Sequence, residues 1–127
     1  MPLKIDIVKR AEGGHFVALD GSLDSNTHEE FDRRMTPFLN GGTKVMILDL
    51  AKLKYVSSAG LRVVYKVWKN IVAGSGTFLM TNLQPQIQTV FEVIKAMPHE
   101  HVFASMEEVD QYLDTIQKRE IEKQQGA

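Results

Sequence analysis

Hydrophobic and polar positions alternate with a period of two at the start of the chain. Leu3, Ile5 and Ile7 are separated by polar residues, and a second apolar stretch at 15–19 follows the turn sequence Glu-Gly-Gly at 12–14. Two such stretches on either side of a glycine turn are typical of paired antiparallel strands. The pattern therefore predicts an opening β-hairpin.

A short, continuous apolar run lies in the central part of the chain. Residues 45–48, Val-Met-Ile-Leu, form this run, and the polar Asp49 follows it. An apolar run of this length is typical of a buried strand. We therefore expect a strand in the middle of a sheet that ends at Asp49, followed by a loop from Leu50 to Ser57.

Apolar residues recur at intervals of three or four in four other segments, which predicts four helices. The first helix is expected to carry Thr27, Phe31, Met35 and Phe38 on one face, with Asp24 or Ser25 as its cap and the turn sequence 40–42 at its end. The second carries Leu61, Val64, Trp68 and Ile71, widened by Tyr65 and Val72, and stops at 73–76. The third carries Ile87, Val90, Phe91 and Ile94, and the closing helix carries Met106, Val109, Leu113 and Ile116. Further short strands are expected at 77–80 and 101–104.

Strands that alternate with helices predict a mixed α/β domain, in which the later strands run parallel and the opening hairpin supplies an antiparallel edge. Residues 3–116 are expected to form this single domain, and the polar residues 117–127 a helix extension or a frayed tail. In open sheets of this kind, functional sites gather beyond the carboxyl ends of the parallel strands. The segment after Asp49 and the turn around Asn82 both begin at that edge.

Two serines, Ser57 and Ser58, stand where the second helix is expected to begin. The first turn of a helix carries unpaired N–H groups and the positive end of the helix dipole, so a phosphate on a serine is accommodated there. This favours a hydroxyl presented at the protein surface as a switch. A purely structural role is the alternative, because an N-cap hydroxyl at Ser57 would stabilise the helix by about 1 kcal/mol.

Two short motifs lie next to these predicted strand ends. The first consists of Asp49 and Leu50, then Ser57, Ser58, Ala59, Gly60 and Leu61, and the second of Gly21, Ser22, Leu23, Asp24 and Thr27. They resemble, in order, the Asp-Leu-Ser turn with its Asp-Ser-Ser-Gly-Leu or Asp-Ser-Ala-Gly-Leu helix start, and the Gly-x-Leu-Asp-x-x-Thr strand end, of the STAS domain in bacterial anti-sigma factor antagonists. The resemblance extends from about Leu3 to about Ile116.

The resemblance implies which residues carry the function. The serine that is phosphorylated in the family corresponds to Ser58, while the aspartate that usually precedes it is replaced here by Ser57, which is the alternative acceptor. Asp24, Thr27 and the helix start are implied to contact the partner. The partner-binding set is Asp24, Thr27, Ser57, Ser58, Ala59, Gly60 and Leu61. For Asp24 and Thr27, capping of the first helix is the alternative role.

The resemblance also implies a mode of action and its partners. An unphosphorylated antagonist binds an anti-sigma serine/threonine kinase and releases that kinase's other partner, usually a sigma factor, while a serine phosphatase of the PP2C type removes the phosphate. The chain itself would then be no enzyme and would hold no cofactor or metal. A phosphorylation-independent STAS scaffold in a regulatory complex is the alternative, and a small enzyme of another class is a more distant one.

Composition narrows the remaining classes. With 127 residues and 43% hydrophobic content, the chain is long enough to bury a core without disulfide or metal staples, and it contains no cysteine that could supply either. The 15 basic residues do not exceed the 16 acidic ones, which disfavours direct binding to nucleic acid. An N-terminal signal pattern and an apolar run long enough to span a bilayer are both absent, which predicts a cytoplasmic protein without membrane insertion.

Other candidate chemistry has weaker support in the sequence. None of the histidines, His15, His28, His99 and His101, stands in a recognisable catalytic context, and residues 57–60 lack the first glycine of a Gly-x-Ser-x-Gly elbow. His99 and His101 would share one face of a strand but are too few to bind a metal. Gly74-Ser75-Gly76 fits a helix stop better than a phosphate loop, and Trp68 is expected in the core.

Overall fold

The computed structural model describes residues 2–40, 42–96 and 106–126. Four strands and four helices occur in these ranges, with short 3-10 turns after the first strand and after the first helix. The strands are β1 (Leu3–Arg10), β2 (Gly14–Leu23), β3 (Val45–Val56) and β4 (Thr77–Thr81). The helices are α1 (His28–Met35), α2 (Ser58–Ala73), α3 (Pro85–Ala96) and α4 (Met106–Gln125).

The strands form one mixed sheet in the order β1-β2-β3-β4. β1 pairs with β2 in antiparallel orientation, while β2 with β3 and β3 with β4 run parallel. This confirms the predicted mixed α/β domain, its opening hairpin and the interior position of β3. The strand expected at 101–104 lies outside the described residues.

β3 is much longer than its apolar run. The strand continues past Asp49 to Val56, so the loop expected from Leu50 to Ser57 is wrong. β2 remains beside β3 over this extension, with two irregularities in register, whereas β4 leaves it after the pair Asp49 and Thr81. The apolar pattern did not indicate a strand here, because the extension carries exposed residues that are polar or small: Ala51, Lys52 and Lys54.

Both ends of α1 also differ from expectation. α1 begins at His28 with Thr27 at its N-cap, so neither Asp24 nor Ser25 occupies the capping position. It ends at Met35, and Phe38 belongs to the 3-10 turn that follows. At the other end of the chain, α4 continues to Gln125, which agrees with the helix extension expected as one alternative for residues 117–127, although Gln117 is buried within it.

The core lies between the sheet and the helices that pack on it. Its buried hydrophobic side chains are Ile5, Val17, Leu19, Leu23, Phe31, Met35, Met46, Leu48, Leu50, Leu53, Val56, Leu61, Val63, Val64, Val67, Ile71, Ile87, Val90 and Leu113. On α2 the buried face includes Val63 and Val67, and Trp68 is 43% exposed, so the expected burial of Trp68 is wrong. The buried stripe is rotated from the predicted one because Val63 and Val67, not Trp68, face the core. Trp68 instead lines a groove with Tyr65, Phe78, Met80 and other apolar side chains.

Candidate functional site

Ser57 forms the N-cap of α2. Its backbone is extended, with φ −96° and ψ 175°, and its Oγ accepts a hydrogen bond from the N–H of Gly60 at 3.3 Å. The N–H of Ser57 donates to the carbonyl of Leu23 at 2.9 Å, and the residue is only 5% exposed. The predicted capping role of Ser57 is therefore confirmed.

Ser58, the first residue of α2, has a carboxylate partner from the far end of the chain. Its backbone N–H and its Oγ–H both donate to one oxygen, Oδ1 of Asp110 on α4, at 3.0 and 2.7 Å. Ser58 is 8% exposed. The expectation that the junction presents its hydroxyl at the surface is wrong for this conformation, because α4 lies against the helix start.

α4 is held in this position by a buried glutamine. Gln117 is 1% exposed, and its side-chain amide accepts from the N–H of Val56 at 3.0 Å and donates to the carbonyl of Val56 at 2.8 Å. Val56 is the last residue of β3, two positions before Ser58. Since buried backbone groups must be paired, Gln117 takes the role that a neighbouring strand would otherwise have.

The second motif forms a tight turn between β2 and α1. Thr27 is buried, and its Oγ1 donates to the carbonyl of Ser22 at 2.8 Å and accepts from the N–H of Asp24 at 2.9 Å. One carboxylate oxygen of Asp24 accepts from the N–H of Asn26 at 2.9 Å. The hydroxyl of Thr27 therefore shapes the turn, and Asp24 lies partly exposed on it.

The fold brings the two motifs into contact. Besides the hydrogen bond from Ser57 to Leu23, the helix start approaches the end of β2 very closely at Gly60. A Cβ atom on Gly60 would lie 2.7 Å from both the carbonyl oxygen and Cγ of Leu23. Glycine is required there because it has no side chain to fill this space. Asp24 and the start of α2 consequently belong to one surface region.

Three carboxylates converge on a tyrosine beside this region. Burial raises the pKa of Tyr55, and the negative charges of Asp114, Asp110 and Asp24 raise it further. Asp24 from the β2–α1 turn and two residues of α4 therefore lie near the same phenol. The rim of the helix start is acidic.

Asp110 and Gln117 are the residues of this site that the sequence reasoning missed. They lie seven positions apart, on the side of α4 that also carries the fully buried Leu113. Polar residues beside an apolar stripe are a signal of buried hydrogen bonding, because polar groups are buried only with a partner. The burial of Gln117 was not predicted, because the polar sequence from Gln117 onward also fits a solvated extension.

The structure gives little support to a histidine-based or metal site. His99 and His101 lie outside the described residues, and no group of three potential metal ligands occurs in the ranges that the structure describes. His15 lies in β2, where its ring contacts Phe38 at a centroid distance of 4.4 Å. α2 ends at Ala73, and the N–H of Gly74 closes its last turn on Asn70, which confirms the helix stop.

Within the described part of the chain, no helix combines the length and apolarity that crossing a membrane requires.

Comparison with known proteins relates this site to a family. The family model of the STAS domain matches residues 6–109. The chain is 32% identical over 84 residues to the candidate anti-sigma factor antagonist BtrV of Bordetella bronchiseptica, an overlap of 66% of this chain and 72% of BtrV.

Solved structures show the same fold. The anti-sigma factor antagonist SpoIIAA in its unphosphorylated form matches with a TM-score of 0.62 at 18% identity, over 89% of this chain and 97% of that one. The phosphorylated form of SpoIIAA from Bacillus matches with a TM-score of 0.63 at 18% identity, over 89% and 99%. An anti-sigma factor antagonist from Mycobacterium paratuberculosis matches with a TM-score of 0.58 at 11% identity, over 88% and 94%.

Proposed function

The chain belongs to the STAS domain family, and on that premise we propose that it is an anti-sigma factor antagonist, a regulatory protein that acts by exchanging partners. The similarity to BtrV, which carries that description, supports this assignment. The observation that carries the proposal is the helix start itself. Ser58 stands at the first position of α2, and the Gly-x-Leu-Asp-x-x-Thr turn lies directly against it.

In the proposed switch, the unphosphorylated protein binds an anti-sigma serine/threonine kinase and releases the kinase's other partner. Phosphorylation of Ser58 ends this binding. The phosphate brings about 1.5 to 2 negative charges and three acceptor oxygens to a surface shaped for a hydroxyl. A partner surface that fits the neutral serine then faces a clash or an unpaired charge. A serine phosphatase of the PP2C type reverses the modification.

Local geometry favours Ser58 over Ser57 as the acceptor. The Oγ of Ser57 caps the helix by accepting from Gly60, so a phosphate there would replace a structural contact. The Oγ of Ser58 caps no N–H of its own helix and instead donates its proton to Asp110. Modification of Ser58 therefore leaves the N-cap of α2 in place, which is consistent with a change of partner without a change of fold.

The proposed partner surface divides into contacting and shaping residues. Asp24 and Ala59 are partly exposed and are proposed to contact the kinase directly. Thr27, Gly60 and Leu61 are buried, and their proposed role is to hold the β2–α1 turn and the start of α2 in register. The partly exposed carboxylate of Asp24 favours a positively charged group on the partner.

The burial of Ser58 favours a second candidate function. A hydroxyl that is 8% exposed and bonded to Asp110 is a poor substrate in this conformation. A STAS scaffold that assembles a regulatory complex without phosphorylation of Ser58 would need no access to it. The two functions differ in one respect. In the first, a cognate kinase phosphorylates Ser58, and in the second it does not.

The test is phosphorylation by a cognate kinase with ATP, located by intact-mass and peptide mass spectrometry. We expect one phosphate on Ser58, absent in Ser58→Ala and retained in Ser75→Ala, where Ser75 is an exposed serine after α2. Ser58→Ala should bind the kinase and Ser58→Asp should bind it much more weakly. Phosphate only in Ser57 would move the switch by one residue, and tight binding without any phosphate would support the scaffold.

A further inference from the structure

The contact between Ser58 and Asp110 joins two residues that are 52 positions apart in sequence. One carboxylate oxygen receives both the hydroxyl proton of Ser58 and its backbone N–H, at 2.7 and 3.0 Å. The N–H is one of the unpaired donors in the first turn of α2, at the positive end of the helix dipole. Asp110 is therefore an anion that already occupies the position where a helix start favours negative charge.

The middle of α4 places Asp110 beside the start of α2. Leu113, one turn later, is fully buried, and Gln117 is bonded to both backbone groups of Val56 at the end of β3. Residues 110, 113 and 117 are spaced by three and four, so they share one helix face. α4 consequently contacts the chain on both sides of Ser57: Gln117 bonds Val56, and Asp110 bonds Ser58.

A phosphate on Ser58 would compete with Asp110 for the same donor. Phosphate oxygens on Oγ lie within reach of the Ser58 N–H, which a helix N-terminus offers to anions. The carboxylate now lies 2.7 Å from Oγ, so a phosphate attached to that oxygen would stand beside a second anion in a partly buried place. Repulsion there is strong because the local dielectric is low. The docked carboxylate and the phosphoserine therefore exclude one another.

We propose that Asp110 is an internal gate on Ser58, and that the start of α4 must withdraw from the start of α2 before Ser58 is phosphorylated. This proposal rests on Ser58 being the acceptor under the proposed function. In the reaction, the bond from Oγ to the γ-phosphorus forms and the bond from that phosphorus to the ADP oxygen breaks. ADP leaves with the electron pair, and the hydroxyl proton passes to a base of the kinase because Asp110 has withdrawn.

The gate acts in both directions. Docking of Asp110 disfavours phosphorylation because it covers the hydroxyl, and a phosphate on Ser58 disfavours docking because the two anions compete for one N–H. Gln117 and Leu113 keep the middle of α4 in place, so the movement is confined to the turns before Leu113. A partner that draws these turns away would expose Ser58, and the phosphorylated protein would present a different α4 surface from the unphosphorylated one.

The first test measures the initial rate of phosphorylation by the cognate kinase. Asp110→Ala removes the carboxylate, and we expect its rate to be about fivefold or more above wild type, because a larger fraction of molecules has an accessible Ser58. Asp110→Asn keeps an acceptor oxygen without the charge and should give an intermediate rate, and it serves if the alanine variant folds poorly. Glu120→Gln is the matched control, because it removes a charge from the same helix at a side chain that is paired with Lys123 and lies outside the carboxylates around Tyr55. Its rate should equal wild type.

The second test needs no kinase. Hydrogen exchange of Ser58→Asp should be faster than wild type in peptides from the first turns of α4, and unchanged around Gln117. Asp110→Ala should show the same pattern, and Glu120→Gln should not.

The remaining outcomes separate a failure of the gate from a failure of the proposed function. Equal or slower phosphorylation of both Asp110 variants, an equal gain in Glu120→Gln, or unchanged exchange in Ser58→Asp overturns the gate. It leaves the proposed function standing if phosphate still enters Ser58. Absence of phosphate from wild type and all variants, with a kinase that is active and bound, overturns the proposed function and the gate with it.

Discussion

The two halves of β3 are stabilised in different ways. Residues 45–49 lie between two strands and pair with the backbone of β2 and of β4. Residues 50–56 pair with β2 on one side only. On the other side, glutamine side chains take the place of a strand: Gln84 bonds the carbonyl of Ala51, Gln86 that of Lys54, and Gln117 both backbone groups of Val56.

This difference determines how each half depends on sequence. A backbone partner is present whatever the side chains are, so the first half requires only apolar residues of suitable volume. The second half requires an amide side chain at its buried end, at Gln117, because hydrocarbon cannot pair a buried N–H or carbonyl. The second half also leads directly into the Ser57–Ser58 junction. The candidate site therefore depends on residues distant from it in sequence.

The largest expected effect concerns Gln117. Gln117→Met keeps the volume of the side chain but leaves both backbone groups of Val56 unpaired, so the free energy of unfolding should fall by about 2 to 4 kcal/mol. Leu48→Met in the first half should cost less than about 1.5 kcal/mol, because volume is conserved and no hydrogen bond is lost. Gln84→Ala, at the exposed end of the glutamine series, should cost about 1 kcal/mol or less. Urea unfolding measures all three, and equal losses for Gln117→Met and Leu48→Met would remove the contrast between the halves.

Gly60 tests the contact between the end of β2 and α2. Gly60→Ala places a methyl group 2.7 Å from the backbone oxygen of Leu23, and overpacking of this kind costs about 1 to 3 kcal/mol. Ala59→Ser, at a partly exposed neighbouring position, is the control and should change the free energy of unfolding little. A Gly60→Ala protein as stable as wild type would mean that α2 shifts away from β2 without cost.

His15 is paired in register with Met46 of the first half of β3. We expect it to make the stability of the protein sensitive to acid. Burial lowers the pKa of His15 below its usual 6.5, and the positive charge of Lys9 lowers it further. The unfolded chain therefore binds a proton more readily, and the contribution of His15 to stability falls as pH falls below 6.5 through the lowered pKa. His15→Phe should reduce the loss of melting temperature on acidification. The same loss in His15→Phe as in wild type would assign it to other groups.

Tyr55 lies in the second half of β3, and we expect it to make the stability of the protein sensitive to high pH. Its pKa is raised above the usual 10.0, first by burial and then by the carboxylates of Asp114, Asp110 and Asp24. The folded protein therefore holds the phenolic proton more tightly, and this contribution to stability is lost as pH rises from 10.0 through the raised pKa. Asp110→Asn should lower the pKa of Tyr55 in an ultraviolet absorbance titration, with Tyr55→Phe as the reference. An unchanged titration would mean that Asp110 lies farther from the phenol than in this structure.

Local patterns were sufficient where a segment's neighbours in sequence also determine its surroundings. The hairpin β1–β2, the apolar start of β3 and the end of α2 at Ala73 were predicted because alternation, helical spacing and glycine turns act over a few residues. Prediction failed at the second half of β3, which is polar at its exposed positions, and at Trp68, where burial depends on the neighbouring elements. The burial of Ser58 and the role of Gln117 depend on α4, which is 50 or more residues away in sequence.

The sequence by itself determined the order of strands and helices, the mixed sheet, the helix start at Ser57 and Ser58 and the match to the STAS domain family. Tertiary structure alone decided what surrounds that helix start. Gly60 lies on Leu23, Gln117 pairs with Val56, and Asp110 binds Ser58. The physical reason is range: helix and strand preferences are set by residues a few positions apart, whereas a hydrogen bond or a charge acts through space on whatever the fold brings near.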